Sequence, residues 1–446
     1  MPQSVIVVGA GPGGATAALA LARAGVSVRL LDRSAFPRNK PCGGAISTRA
    51  LTRFPYLEAA LEQIATHRLS RLHLEGPGGE STLIESDGPA VVMIRRFEFD
   101  ALLVRLAVDA GVELVTGVDV VQAAMNAGSV RLVARDGRSF EAPAVVAADG
   151  VHSVIARRLG INRGWPAVSV ALDMMEETPR SLLRDIDPST VWVAYGFDPS
   201  RIGASLKGSK PGRRSPALER APEGYAYVFP KRDHVNVGIG YVLEHFRKAI
   251  DERPYDLQRR FVNHLRGRGV MEGESSRRHF TPFIIPVGGP LRRPGKGRVL
   301  LAGDAGGFVN GFTAEGIYYA MVSGELAARA LLELANRGPS EVLRRYAASC
   351  ESEMGQELRE SILIQRTLFA DRRRIARIIH GVAHEPVLTR AILAFATGQL
   401  RYADVRRRLI ARAPLFALRL AWERLRTIGR SPGVLTGASG EASGAS

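Results

Sequence analysis

The stretch Gly297–Ala328, GRVLLAGDAGGFVNGFTAEGIYYAMVSGELAA, decides the fold class of this chain. Its pattern predicts a buried strand over Arg298–Ala302, an acidic turn at Gly303-Asp304, a loop of small residues and a helix that begins near Gly316. A helix start offers free backbone N–H groups and the positive end of the helix dipole. The stretch therefore predicts one half of a binding site for an extended, phosphate-bearing ligand.

The first 32 residues supply the other half of that site. Val5–Val8 is an apolar run of strand type, and the next residues complete G-x-G-x-x-G at the start of an alanine-rich helix. Gly9 permits the tight turn, Gly11 lets the backbone approach a pyrophosphate, and Gly14 lets the helix pack on the strand. Asp32 ends the following strand, where its carboxylate can accept a hydrogen bond from a ribose 2′-OH.

Two such segments, far apart in the chain, predict one long dinucleotide held from both ends of the sequence, and we expect FAD. The fold class is α/β, with a Rossmann-like FAD-binding domain interleaved with a β-sheet substrate domain and followed by a C-terminal helical region. The expected segments are FAD-binding 1–68, substrate-domain strands 69–95, FAD-binding 96–165, the β-rich substrate domain 166–286, FAD-binding 287–335, helices 336–430 and a disordered tail 431–446.

Composition indicates a globular chain that forms its own core. Of 446 residues, 46% are hydrophobic and 24% charged, and no apolar run approaches the roughly 20 residues of a membrane-spanning helix. Val5–Val8 leads directly into the glycine turn, so no signal peptide is expected. The two cysteines, Cys42 and Cys350, exclude a disulfide framework and fit a cytoplasmic protein.

The net charge of +17 is unusual and is concentrated near the C-terminus. From Arg366 onward there are 15 arginines and five acidic residues, which places +10 of the charge there. Val405–Ile428 alternates arginine with apolar residues at roughly helical spacing, although Pro414 interrupts it. Contact with an anionic membrane surface is one interpretation, and solvated helices packed on their own domain are the other. Nucleic-acid binding is not expected, because the basic runs lack interleaved aromatic residues.

Several motifs occur in the order found in one known flavoprotein fold. They are GAGPGG with Asp32, the segment Arg96-Phe97-Glu98-Phe99-Asp100, Asp149-Gly150 with Ser153 and Arg157, and Gly303-Asp304. This order resembles the fold of p-hydroxybenzoate hydroxylase. We expect Asp149-Gly150 to shape a turn that brings Ser153 and Arg157 to the interface between domains.

Two further segments resemble the geranylgeranyl reductases within that fold. FPRNKPCGGAIS, Phe36–Ser47, is similar to their PxxxxCGGG signature, and GYAYVFPK, Gly224–Lys231, is similar to their YxWxFPK segment. The resemblance implies non-covalent FAD and reduction of C=C bonds in polyprenyl chains carried on diphosphates, phospholipids, pigments or quinones. The electron donor, NAD(P)H or ferredoxin, stays open. Ala45 replaces a glycine of the first motif, and Tyr227 replaces the tryptophan of the second.

The resemblance also implies which residues contact FAD. Asp304 would hydrogen-bond the ribityl and pyrophosphate region, and the helix start at Gly316 would face the flavin N1–C2=O, where negative charge collects on reduction. Arg96 would reach the cofactor, or instead form a structural ion pair with Asp100. The full set of expected cofactor contacts is Gly9, Gly11, Gly13, Gly14, Asp32, Cys42, Gly43, Ala45, Arg96, Val120, Asp304, Gly316 and Ile317.

Cys42 is the candidate catalytic residue. By resemblance it lies beside the isoalloxazine ring, where a thiol could donate a proton or tune the pocket. Alkene reduction needs a hydride from flavin N5 and a proton for the second carbon. The proton donor could be Cys42, a tyrosine or water, and a lone cysteine is also often a small buried hydrophobe.

Substrate contacts are expected on one strand. Tyr225, Tyr227 and Phe229 are spaced two residues apart, so a strand would place all three rings on one face. That face could line a tunnel for a prenyl chain or form ordinary sheet core. Lys231 could bind a diphosphate at the tunnel mouth. No metal site is expected.

The sequence therefore predicts an FAD-dependent reductase of a polyprenyl substrate. One rival is a flavin monooxygenase on the same fold, which the CGGA segment argues against. The other is an electron-carrier flavoprotein that passes electrons to a quinone.

Overall fold

The structure, a computed structural model, describes residues 4–198 and 222–384, together with isolated positions between 387 and 411. The chain divides into two compact units, Met1–Tyr402 and Ala403–Ser446, and every strand and helix named below belongs to the first. Apart from single positions, the predicted basic segment Val405–Ile428 and tail 431–446 lie outside the described residues. Over the described ranges, no helix is both long and apolar enough to cross a bilayer.

Strands and helices alternate in the first half of the chain, and helices dominate after residue 317. The strands are β1 (Ser4–Val8), β2 (Ser27–Leu31), β3 (Ala45–Ser47), β4 (His67–Leu69), β5 (Arg71–Glu75), β6 (Ser81–Glu85), β7 (Val91–Met93), β8 (Glu113–Val115), β9 (Val120–Met125), β10 (Val130–Ala134), β11 (Ser139–Ala142), β12 (Val145–Ala147), β13 (Ala171–Pro179), β14 (Leu183–Arg184), β15 (Thr190–Tyr195), β16 (Gly224–Pro230), β17 (His234–Val242), β18 (Glu272–Gly273), β19 (Phe280–Ile285), β20 (Gly295–Lys296) and β21 (Val299–Leu301).

The helices are α1 (Pro12–Arg23), α2 (Thr48–Arg53), α3 (Tyr56–Leu61), α4 (Arg96–Asp109), α5 (Val154–Arg158), α6 (Leu243–Ala249), α7 (Pro254–Gly267), α8 (Ile317–Leu332), α9 (Leu334–Arg337), α10 (Pro339–Cys350), α11 (Gln356–Phe369) and α12 (Arg372–His384). A 3-10 turn, Gly303–Gly306, follows β21, and a π-helical turn, Glu351–Gly355, joins α10 to α11.

The first sheet joins segments from distant parts of the sequence. Its order is β20-β21-β12-β1-β2-β8, and all pairs are parallel except β20 with β21. Val8 lies opposite Leu31 on one side and Ala147 on the other, and Ala147 lies opposite Leu301. The carboxyl ends of four strands therefore meet at one edge, where open α/β sheets bind their ligands. The predicted α/β class with an interleaved cofactor domain is confirmed.

Helices α1 and α8 cross at glycines. A Cβ on Gly324 of α8 would lie 2.1 Å from the carbonyl oxygen of Gly13 in α1. Within the N-terminal segment, a Cβ on Gly14 of α1 would lie 1.8 Å from the carbonyl oxygen of Gly9, in the turn after β1. Only glycine permits backbones to approach this closely. The packing brings the two predicted halves of the cofactor site together.

The second large sheet has the order β19-β13-β17-β16-β15-β5-β6. One face packs on α7, where Leu257, Phe261 and Leu265 are fully buried with Ala226 and Val228 of β16. This helix is not among the predicted elements, although its apolar residues recur at helical spacing. The opposite face of the sheet is therefore the one free to meet the cofactor domain. The domain boundaries drawn from the sequence stay a prediction, because both sheets share one compact unit.

The C-terminal helices support the cofactor edge of the first sheet. The Tyr346 hydroxyl of α10 donates to the carbonyl oxygen of Leu301 at 2.6 Å. The Ser361 hydroxyl of α11 accepts a hydrogen bond of 2.7 Å from the Gly311 N–H, in the loop that leads to α8. That loop is therefore held from behind by α11.

Candidate active site

The glycine turn after β1 leaves a cleft that fits a pyrophosphate. Gly9 adopts φ +92°, and a Cβ there would lie 2.3 Å from the carbonyl oxygen of Ala148. A Cβ on Gly11 would instead meet only the guanidinium groups of Arg96 and Arg38, 3.8 and 3.9 Å away. Gly11 thus faces two cations across open space at the start of α1, an arrangement that suits a phosphate group.

Arg96 forms the ion pair with Asp100 that was one of its two expected roles, and its contact with the cofactor stays a prediction. Its Nε and Nη2 donate to the two carboxylate oxygens of Asp100 at 2.5 and 2.7 Å, and Arg38 contacts Asp100 at 3.0 Å. Asp100 is fully buried. Burial alone would lower the pKa of the Arg96 guanidinium, but Asp100 outweighs that effect and holds this pKa above its ordinary value. The ion pair fixes a permanent cation beside Gly11.

Asp32 directly follows β2, at the predicted position. Its carboxylate accepts hydrogen bonds from the Ala10 N–H at 2.7 Å and the Ser34 N–H at 2.8 Å. Each carboxylate oxygen has a second lone pair, so Asp32 can also accept from a ribose hydroxyl. The Asp32 carbonyl oxygen accepts from the Val118 N–H at 2.9 Å, which places the segment leading to Val120 beside it. Contact between Val120 and the cofactor stays a prediction.

Asp304 lies in the turn between β21 and α8 with its carboxylate available to a ligand. A Cβ on Gly316 would lie 3.7 Å from its Oδ1. Burial raises the pKa of Asp304, whereas Lys40 and Arg96 act to lower it. Within the part of the chain that the structure describes, no hydrogen bond reaches this carboxylate. A half-buried carboxylate without donors is costly, and ribityl hydroxyls would supply them.

Helix α8 begins at Ile317 with Gly316 as its N-cap, and no described side chain caps it. Its first N–H groups are therefore available to a ligand, together with the positive end of the dipole. The cleft at Gly11, the carboxylate of Asp304 and this helix start form a path from α1 to α8. The residues present fit FAD.

The CGGA segment is fastened to the second sheet. The Cys42 sulfur accepts a weak hydrogen bond of 3.4 Å from the Gly44 N–H, and the Cys42 carbonyl oxygen accepts one of 2.8 Å from Asn236 Nδ2. A Cβ on Gly43 would lie 2.9 Å from the Phe229 ring, so this glycine permits close packing. Ala45 begins β3 and pairs with Met93 of β7. The role of Cys42 in catalysis stays a prediction.

The three aromatic residues of β16 share one face, which confirms the period-two prediction. Ring centroids lie 6.0 Å apart for Tyr225 and Tyr227, and 4.5 Å apart for Tyr227 and Phe229. The Tyr225 hydroxyl donates to the carbonyl oxygen of Thr313 at 2.8 Å. The face therefore meets both the CGGA segment and the loop before α8.

Lys231 does not lie at an open mouth, contrary to the prediction. Its side chain is buried, and Nζ contacts Glu177 Oε1 at 2.5 Å. Arg95 contacts the other oxygen of Glu177 at 3.4 Å. Burial lowers the pKa of Lys231, and Glu177 acts to raise it. The ammonium group lies beneath Gly44, whose Cβ would be 2.9 Å from Nζ, so a diphosphate cannot reach it from solvent.

Two residues of the site were not predicted. Lys40 lies two residues before Cys42, and its Nζ is 4.9 Å from the centroid of the Phe283 ring. Burial and the nearby Arg96 lower the pKa of Lys40. Asp173 of β13 accepts a hydrogen bond from the Tyr227 hydroxyl at 3.0 Å, and burial raises its pKa to about 7. The signal for Asp173 was present, since it is an acid among the apolar residues at the start of β13.

A small aromatic cavity lies where the second sheet meets the loop before α8. Tyr195 of β15 stacks on Phe312 with centroids 5.0 Å apart, and Phe369 of α11 lies 6.4 Å from Phe312. The residues that line the cavity and are used below are Asp173, Tyr225, Tyr227, Gly240, Phe312 and Phe369.

A second cavity, of about 340 Å³, lies beside the Asp149-Gly150 turn. Asp149 Oδ2 accepts hydrogen bonds from the first N–H groups of α5, at 2.8 and 3.2 Å. Ser153 and Arg157 line this cavity together with Leu243 and Ile284 of the substrate-sheet layer. The turn therefore brings both residues to the junction of the layers, as predicted.

Comparison with known proteins places these features in context. The family model described as an FAD binding domain matches residues 3–361. The menaquinone reductase of Mycobacterium tuberculosis is 31% identical over 359 residues, which are 77% of this chain and 80% of that protein. Digeranylgeranylglycerophospholipid reductase 2 of Methanothermobacter thermautotrophicus is 29% identical over 379 residues, which are 82% of this chain and 88% of that protein.

The fold is also similar to a solved structure. A geranylgeranyl bacteriochlorophyll reductase-like protein from Thermoplasma acidophilum superimposes with a TM-score of 0.73 and 19% identity. The similarity covers 92% of this chain and 99% of that one. At this identity the likeness supports the fold.

Proposed function

Because this chain belongs to the FAD-binding-domain family, we propose that it is an FAD-dependent oxidoreductase that saturates C=C bonds of a polyprenyl substrate. The observation that carries the substrate class is the aromatic cavity between β16 and α11. Aromatic rings of β16, α11 and the loop before α8 line this cavity beside polar groups, and rings of this kind suit a hydrocarbon chain. The cavity holds about 30 Å³ in this structure, so it has to widen to admit a prenyl chain. Two relatives act, by their names, on a menaquinone and on a digeranylgeranylglycerophospholipid, both of which carry polyprenyl chains.

The cavity adjoins the place where the cofactor fits. Phe312 and Thr313 belong to the loop that ends at Gly316, and the Tyr225 hydroxyl binds that loop. A chain that enters between Tyr225 and Phe369 would therefore bring a double bond toward the start of α8. In this proposal the aromatic rings hold the chain, because they offer large apolar area with little side-chain entropy to lose.

The protein groups along the cofactor path have separate tasks in this proposal. Gly11 and Arg96 bind the pyrophosphate, Asp304 orients the ribityl hydroxyls, and the start of α8 stabilises negative charge. Bound FAD, once reduced, supplies the hydride for one alkene carbon. We propose NAD(P)H or ferredoxin as the electron donor. The Cys42 thiol lies near Arg96, which supports the proposal that it belongs to this site.

We also propose that the protein is cytoplasmic and meets its lipid substrate at a membrane surface. Helix α12 exposes Ile378 next to a basic stretch that includes Arg374 and Arg377. Such a mixture of apolar and cationic side chains suits an anionic lipid surface. Sedimentation with anionic liposomes at low salt, lost at high salt, would support this contact, and binding that does not depend on lipid charge would contradict it.

Product mass decides between the proposed reductase and its rivals. The FAD-loaded protein is incubated with geranylgeranyl diphosphate or with a prenylated quinone, in one arm with dithionite without oxygen and in the other with NADPH in air. A gain of two hydrogens per double bond without oxygen supports the reductase. A gain of one oxygen atom, only in air, would identify a monooxygenase. Flavin reoxidation by the quinone ring with an unchanged prenyl chain would identify an electron carrier.

A further inference from the structure

We propose that Asp173 and Tyr227 form a proton-delivering pair, in which the Tyr227 hydroxyl gives its proton to the substrate carbon and Asp173 restores it. The proposal rests on the proposed reductase function and names the source of the second hydrogen. In this proposal the proton donor, Tyr227, lies on the side of the cavity formed by the second sheet, and Cys42 acts on the cofactor side.

The geometry of the pair is specific. The Tyr227 hydroxyl lies 3.0 Å from Asp173 Oδ2 and 3.3 Å from Oδ1, and the two residues are only 2% and 6% exposed. Both line the aromatic cavity beside Tyr225 and Phe312. A buried carboxyl group and phenol in contact at the wall of this cavity have no structural need that an apolar pair would not meet.

Two glycines of β17 make room for this pair. A Cβ on Gly238 would lie 2.6 Å from the Tyr227 ring, so any larger residue would push the ring away. A Cβ on Gly240 would lie 3.7 Å from Asp173 Oδ1, so its absence leaves the carboxyl group open to the cavity. Strand β17 lies between β13 and β16, which carry the two partners. The strand that separates them therefore lacks side chains where the pair faces the substrate.

Burial, opposed by one nearby charge, keeps Asp173 ready to hold a proton. Burial raises its pKa to about 7, while the Tyr227 hydrogen bond and the Lys40 charge act to lower it. Burial and Asp173 raise the pKa of the Tyr227 hydroxyl well above its ordinary value, and Tyr225 and Cys42 act in the same direction. The next charged groups on this face, Glu177 and Lys231, form an ion pair, and Arg95 contacts the same carboxylate. Among the described residues, no cation lies within ion-pair distance of Asp173.

The proton balance of the step is complete with these groups. The Tyr227 O–H bond breaks as its proton forms one new C–H bond, and the second C–H bond forms with a hydride whose electrons come from the reduced flavin. The Asp173 carboxyl proton then passes to the Tyr227 oxygen, which leaves a carboxylate near Lys40. That carboxylate takes up a proton from water before the next turnover. Tyr227 stands where the resembled family has tryptophan, whose indole N–H cannot exchange protons in this way.

Infrared titration tests the pair without turnover. Spectra of the FAD-loaded protein should contain a protonated carboxyl band that disappears as pH rises through about 7. D173N should remove that band, and Y227F should move its midpoint to higher pH, since a hydrogen bond that lowers the pKa is lost. E176Q is the matched control. Glu176 is a buried carboxyl on the opposite face of β13, bound to Ser275 and Ser276, with a pKa raised by burial to about 6.

Anaerobic single-turnover reduction completes the test. The wild-type rate should fall as pH rises through about 7, the D173N rate should be low and independent of pH, and Y227F should be slowed roughly 100-fold. E176Q should keep the wild-type profile. A D173N variant with the wild-type band and profile would overturn the pair, as would a profile abolished only by C42A. Failure of the wild-type protein to reduce any alkene would instead overturn the reductase itself.

Discussion

Gly324 of α8 lies directly against Gly13 of α1, so close that a Cβ on Gly324 would be 2.1 Å from the Gly13 carbonyl oxygen. These residues belong to the two distant segments that each carry half of the cofactor site. Their contact fixes the distance between the glycine turn and the start of α8. The position of the cofactor is therefore set by backbone packing that no side chain can replace.

G324A should lower stability and weaken FAD binding together. The added methyl group forces the helices apart, and overpacking of this kind typically costs about 1–3 kcal/mol. Thermal unfolding of the apoprotein and a fluorescence titration with FAD would measure the two effects. G267A is the control, since Gly267 ends α7 and its Cβ would meet no atom within 4 Å. Equal behaviour of both variants would contradict the prediction.

D304N should weaken FAD binding roughly 10- to 100-fold without destabilising the apoprotein, as expected for a lost hydrogen bond to a charged group. Because burial raises the pKa of Asp304, its carboxylate opposes folding once pH exceeds the ordinary pKa, and the amide removes that cost. Isothermal titration with FAD and thermal unfolding at pH 7 would check both parts. A less stable apoprotein would show that Asp304 has a structural role instead.

D100A should be among the most destabilising polar substitutions in the cofactor domain. It leaves the guanidinium groups of Arg96 and Arg38 without their buried partner, and breaking a buried pair costs about 3–5 kcal/mol. D119A removes a partner from the exposed pair with Arg135 and should change stability by less than about 1 kcal/mol. Denaturant unfolding would compare them. Similar losses of unfolding free energy in D100A and D119A would contradict the prediction that the buried ion pair contributes more stability than the exposed one.

The stability of the apoprotein should depend on pH through Asp173. Its folded pKa lies above the unfolded value, so the folded state holds a proton between about pH 4 and 7, and stability is lost as pH rises through that window. The loss is on the order of 4 kcal/mol at most. D173N should flatten this part of the profile in urea unfolding at pH 5 and pH 8. An unchanged slope would argue against a raised pKa.

The parts of the site that depend on local backbone chemistry were predictable from the sequence. Gly9, Gly11 and Asp32 follow strands at fixed offsets, and Gly316 precedes a helix, so short-range pattern was sufficient. Lys231 was misplaced because its burial depends on Glu177 from another strand, which no local pattern reveals.

Asp173 illustrates the other limit of prediction. The acid is visible in the sequence of β13, but its chemical meaning depends on Tyr227 across two strands and on the two glycines between them. Which strands become neighbours depends on the packing of the whole sheet. A side chain whose pKa is decided by tertiary burial can therefore be noticed in the sequence but not interpreted there.

Helix α11 carries two duties at different points along its length. Ser361 anchors the loop that leads to the flavin, and Phe369, two turns later, closes the aromatic cavity. A mutation that lengthens the cavity near Ser361 would also shift the loop before α8, which Ser361 holds in place. Under the proposed function, changes near Ser361 therefore alter substrate fit and flavin reactivity together. Changes at the Phe369 end of α11 would alter the cavity alone.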